Sequence, residues 1–143
     1  MSFQNQFTKT TTDANLMETV HHGSAEYPFR YYYENIALFD FKCIDWHWHS
    51  ELEFIYIESG NVVFDIGTVH FELNEGNGIM INSKILHRLQ SSSDAIIPNF
   101  LFQPSFIAPQ DSLIYKKYIN PVISSSLEYL VFQPDIPWQK KAT

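Results

Sequence analysis

The chain has 143 residues, 45% hydrophobic and 16% aromatic, enough to bury one core without disulfide staples. A formal charge of -7 excludes a surface that attracts a phosphate backbone, so any contact with DNA is expected from another domain. The single cysteine, Cys43, excludes an internal disulfide and reads as a small buried hydrophobe.

Residues 1–26 are polar and lack a sustained apolar period, so a flexible arm is expected there. His21 and His22 stand beside a glycine in "ETVHHGSAEYPF" and read as solvated loop histidines outside any site. The N-terminus lacks a basic segment followed by an apolar core, and no run approaches a membrane span, so the expectation is a soluble cytoplasmic protein.

Residues 27–104 read as about eight short strands, the count at which a small barrel can hold side chains or one small ligand. "FRYYY", "IALFDFK" and "LEFIYIE" come first. "ESGN" then connects to "VVFDI", "GT" turns the chain into "VHFEL", and "NEGNG" leads into "IMI". "HRLQ" and "IIPNFLF" follow, joined through "SSSD". In residues 105–143 the pattern changes: Asp111 is the expected N-cap of a short helix that Pro121 stops, and a final strand and a linker follow.

The stretch "DWHWHSELEFIYIESG", residues 45–60, carries the chemistry. If the strand is continuous, His47, His49, Glu51 and Glu53 share one face, because strand residues two apart point the same way. Imidazole nitrogens and a carboxylate suit a divalent transition metal such as Fe, Mn, Ni or Zn, and His87 is a fourth donor from downstream. The same residues can equally hydrogen-bond a ligand or a backbone carbonyl with no metal, and no cofactor is required in that case. Glu51 is the one further carboxylate that could act as a general base. Tyr33 and Phe39, from an aromatic set that also includes Tyr31, Tyr32 and Phe54, are taken as ligand-lining residues; Trp48 is assigned to packing.

The spacing His47-x-His49, three residues, Glu53, six residues, Gly60 resembles the first cupin motif, and the second begins at Gly76 with His87 in its histidine position. Asn82 and Lys84 stand where that motif usually has proline and glycine. The resemblance implies an all-β, cupin-like double-stranded β-helix, a jelly-roll barrel, with a short C-terminal helix, and it implies His47, His49, Glu53 and His87 as the metal set.

Taken in order, "YPFRYYYENI", "WHWHSELEFIYIESG", "FELNEGNGIMINSKILHRL", "FLFQPSFIA", "KKYINPVI" and "DIPWQKK" resemble the N-terminal sensor half of AraC-type transcriptional regulators. That resemblance implies a small-molecule effector, such as a sugar, held by His47, His49, Glu51, Glu53, His87, Tyr33 and Phe39. It implies DNA binding only through a C-terminal helix-turn-helix part that this sequence lacks, and no membrane partner. Dimerisation in the family uses helices that usually follow the barrel, so this chain is expected as a monomer or a weak homodimer. The competing expectation is a stand-alone cupin metalloenzyme, an isomerase or oxygenase.

Overall fold

A computed structural model describes residues 9–138. Nine strands are named within it: β1 (Phe29–Asn35), β2 (Cys43–His47), β3 (Leu52–Tyr56), β4 (Asn61–Ile66), β5 (Val69–Asn74), β6 (Gly78–Ile81), β7 (His87–Gln90), β8 (Ile96–Phe102) and β9 (Tyr129–Phe132). They form two antiparallel sheets, one ordered β1-β8-β3-β6-β9 and the other β2-β7-β4-β5. This is a cupin-like β-sandwich of the expected class. No helix among the described residues is long and apolar enough to cross a membrane.

The core lies between the sheets because alternate residues of each strand point inward. Ile55, Ile79, Ile81 and Ile97 from the five-stranded sheet meet Val62, Phe64, Ile66 and Leu89 from the other. Turns fall where the local chemistry demands them. Gly60 has φ of +82°, and a Cβ there would stand 2.7 Å from the carbonyl oxygen of Asp94, so only glycine fits the connection into β4.

Three expectations about elements need correction. "IALFDFK" is not a strand but two 3-10 turns, Ile36–Leu38 and Asp40–Lys42. The Asn35 side chain accepts a hydrogen bond from the Ala37 N–H and turns the chain out of β1, and Phe41 and Lys42 adopt left-handed backbone. The second strand is instead Cys43–His47. Downstream, the cap is Ser112, whose hydroxyl accepts from the Tyr115 N–H, and not Asp111. Pro121 does not stop the helix. It sits in the first turn of α1 (Asn120–Ile123), after a π-helical turn over Tyr115–Ile119, at a position where a missing N–H costs nothing.

The described part of the N-terminal arm, residues 9–26, lies against the barrel. Thr12 bridges Glu18, and Met17 bridges Trp48 in parallel fashion. The Trp48 indole N–H also donates to the Asn15 carbonyl oxygen at 2.9 Å, so Trp48 pins the arm. Residues 1–8, and the linker expected after Trp138, lie outside the described residues.

Candidate functional site: a histidine and glutamate centre under the N-terminal arm

Residues 45–53 do not form one continuous strand. The chain leaves the four-stranded sheet after His47 and joins the five-stranded sheet at Leu52, and the β2–β7 register shifts between Ile44 and His47. His47 and its cross-strand partner His87 therefore face Glu53 across the sandwich, while His49 projects from the crossing segment. The four residues are buried, and one ligand atom from each lies within 4.8 Å of the others.

The other ring nitrogen of each histidine is tied to backbone. Nδ1 of His47 donates to the Asp45 carbonyl at 2.7 Å, that of His49 to Glu51 at 3.1 Å, and that of His87 to Ile85 at 2.7 Å. A carbonyl oxygen only accepts, so each Nδ1 carries a proton and Nε2 is the nitrogen left for the centre. This is the arrangement that orients metal-ligating imidazoles. His87 Nε2 is 3.1 Å from Glu53 Oε1, and His49 Nε2 is 3.4 Å from the same oxygen. His49 Nε2 nevertheless has no hydrogen bond of acceptable geometry and is fully buried. An orphaned imidazole nitrogen beside two further nitrogens and a carboxylate fits a divalent metal such as Fe, Mn, Ni or Zn.

The electrostatics separate the two motif histidines. Burial, reinforced by the adjacent His87 imidazole, pushes the His47 pKa down to about 3. Burial acts in the same direction on His49, but the Glu53 carboxylate outweighs it, with help from Glu18 and Glu51, and raises His49 to about 9. Glu53 is opposed by burial, yet His49 and His87 hold it well below the ordinary carboxylate value. Without a metal the centre is thus a buried ion pair of His49 and Glu53.

A cavity of about 60 Å³ opens beside this centre. Tyr32 and Glu34 reach it from β1, and Asn99, the cross-strand partner of Tyr32, reaches it from β8. Phe39, Ile44 and Leu101 supply apolar walls, and Lys9, Thr10, Thr11, Glu18, Val20 and His22 close it from the arm. His22 Nδ1 hydrogen-bonds the Tyr32 hydroxyl at 2.7 Å, and its Nε2 pairs with Glu18. Burial raises Tyr32 to about 12 and Glu34 to about 7, the latter despite a hydrogen bond from Asn99. Glu18 is opposed by burial but lowered by its bond to His22.

Of the residues singled out in the sequence, the fold brings His47, His49, Glu53 and Phe39 to this cavity, and His87 joins the first three in the buried centre behind it. It does not bring Tyr33 there. That side chain points away, its hydroxyl donating to Glu58, and the neighbouring Tyr32 faces inward. Glu51 is turned onto a separate outer groove by the bend at residues 50–51. His22 corrects the expectation of a solvated loop histidine, whereas His21 is exposed as expected. Glu18, Glu34 and Asn99 carry no motif. Only strand parity on β1 and β8 could have pointed to Glu34 and Asn99.

A two-sheet cupin-like sandwich with a buried His3Glu centre defines the class of protein. Within it, residues 38–108 match the family described as the AraC-like ligand binding domain. The chain is also 32% identical over 131 residues to the HTH-type transcriptional regulator YdeC of Bacillus subtilis, an alignment covering 90% of this chain and 44% of that protein. Among solved structures, protein NMB1881 of Neisseria meningitidis is similar at a TM-score of 0.46 and 14% identity, covering 52% of this chain and 74% of that one. A cupin-2 domain protein of Shewanella frigidimarina is similar at 0.42 and 15%, covering 55% and 72%. Over residues 38–108 the chain is thus similar to AraC-like ligand binding domains. It spans less than half the length of the curated relative it matches.

Proposed function

We propose that this domain senses a small metabolite in the cavity beside His47, His49, Glu53 and His87 and passes its occupancy to a DNA-binding part of a longer transcription regulator. The observation that carries this reading is the composition of the cavity wall: six of its lining residues, from Lys9 to His22, come from the arm rather than the barrel. A ligand that displaces or tightens that arm shifts the balance between two arrangements by its difference in affinity for them. With the arm seated, the space is far below the several hundred Å³ of a drug-sized pocket, so a sugar enters only with arm movement. Hydroxyl-bearing metabolites, sugars among them, suit the paired donors and acceptors of Tyr32, Glu34 and Asn99.

In this reading His47, His49 and His87 through Nε2, and Glu53 through its carboxylate, hold a divalent transition metal. The metal would supply a Lewis-acid contact for a ligand oxygen. The rest is done by the chain: Tyr32 and Asn99 orient the ligand, and Phe39 and Leu101 exclude water.

Thermal unfolding with neutral sugars, sugar acids and aromatic metabolites, each with and without added Mn or Zn, tests the proposal. An effector raises the melting temperature and slows proteolysis of residues 9–26. Failure of the whole panel to move either readout would sink the sensor reading.

A second reading, a metalloenzyme, is favoured by one observation. The Tyr32–His22–Glu18 hydrogen-bond chain ends beside the centre, where it could move a proton. Turnover of a panel member by the metal-loaded protein, abolished in Tyr32→Phe, would move this reading to first place.

A further inference from the structure

Outside the barrel, behind His49, lies a groove of about 480 Å³ lined by His21, His22, Ser24, Glu51, Gln103 and Ser105 among others. Glu51 is 6% exposed, yet among the described residues no donor bonds its carboxylate. Its nearest cationic partner is His49 Nδ1 at 4.0 Å, and that nitrogen already donates to the Glu51 backbone carbonyl. The Glu51 oxygens are not sealed in the core but open onto the groove, so a carboxylate able to accept several hydrogen bonds presents that capacity to an occupant.

The surroundings are built rather than incidental. Gln103 Nε2 donates to the Ser50 hydroxyl at 2.8 Å, and the Ser83 hydroxyl donates to the Ser50 carbonyl at 2.6 Å, which together fix the bend that aims Glu51 outward. Among the described residues no lysine or arginine lines the groove. The Gln103 amide oxygen and the Ser105 hydroxyl add acceptors without a hydrogen-bond partner among the described residues.

We propose that this groove is a second ligand site, distinct from the cavity, that binds a small primary ammonium compound on Glu51. A primary ammonium brings three N–H donors and one positive charge to a wall of a carboxylate, an amide oxygen and hydroxyls, and the contact to Glu51 is charge-assisted. His22 lines both the groove and the cavity, so an occupant here touches the residue that bonds Tyr32 and Glu18. The site does not depend on what the cavity binds.

The test is an NMR titration of backbone amides with 2-aminoethanol, alongside ethylene glycol, which lacks the charge, and tetramethylammonium, which lacks N–H donors. Saturable shifts confined to residues 21–25, 50–51 and 103–105, given by 2-aminoethanol alone, are expected. Glu51→Gln weakens this binding roughly tenfold or more, whereas Glu34→Gln, inside the cavity, leaves it unchanged. If Glu51→Gln does not fold, Ser105→Lys and Ala25→Lys, at exposed positions on the rim, place a competing ammonium there and must abolish the shifts. Absence of saturable shifts, equal shifts with tetramethylammonium, or shifts centred on the cavity would overturn the proposal.

Discussion

Glu34 shows how one residue's surroundings convert to a measurable pH dependence. Its carboxyl is raised from the ordinary 4.5 to about 7, chiefly by burial, so the folded state holds its proton more tightly than the unfolded chain. The stabilisation is complete below about pH 4.5 and is lost as pH rises toward 7. Glu34→Gln removes the titration. The variant should exceed the parent by roughly 3 kcal/mol above pH 7, with the gap closing in acid, as read from urea midpoints across pH. A constant gap would place the cause elsewhere. His49 gives a second residue-level prediction. At about pH 7 it is protonated, and a metal needs its Nε2 lone pair, so binding of Zn should release close to one proton. Calorimetry in buffers of different ionisation heat measures that release, which should vanish above about pH 10.

At the level of elements, the segment between β1 and β2 tests the correction made there. Phe41 is 99% exposed with φ of +60°, so its ring contributes no burial while its backbone is held in the left-handed region. Phe41→Gly relieves that strain and should stabilise the fold by about 1 kcal/mol, visible as a higher melting temperature. A loss of stability would mean that the ring makes contacts in solution. The same segment explains why "IALFDFK" misleads: its aromatic and branched residues fit a strand by propensity, but the Asn35 cap acts on a single N–H and redirects the chain. Strand parity accounts for the exchange of Tyr33 for Tyr32. "FRYYY" announces a strand, yet which tyrosine faces inward is set by pairing with β8, where Tyr32 meets Asn99.

For the molecule as a whole, the two sheets share one core, and Phe64 lies fully buried within it. Phe64→Ala should cost about 3–5 kcal/mol, and both sheets should unfold in a single transition followed by circular dichroism and tyrosine fluorescence. Separate transitions would mean that the sheets are independent.

The sequence by itself determined the class of fold, the strand-rich span with its turns, and four donors of the candidate centre, because alternation, glycine-bearing turns and the His-x-His to Glu spacing are local patterns. It also carried the resemblance to AraC-type sensor domains, through the order of several weak segments. Tertiary structure alone decided that Glu51 leaves the face it would share with His49 on a straight strand, since the chain changes sheets between His47 and Leu52. It alone recruited Glu18, His22, Glu34 and Asn99, which come from the arm and from two strands far apart in sequence. Such residues form no pattern along the chain. They become neighbours only when sheet pairing and the anchoring of the arm at Trp48 bring them together.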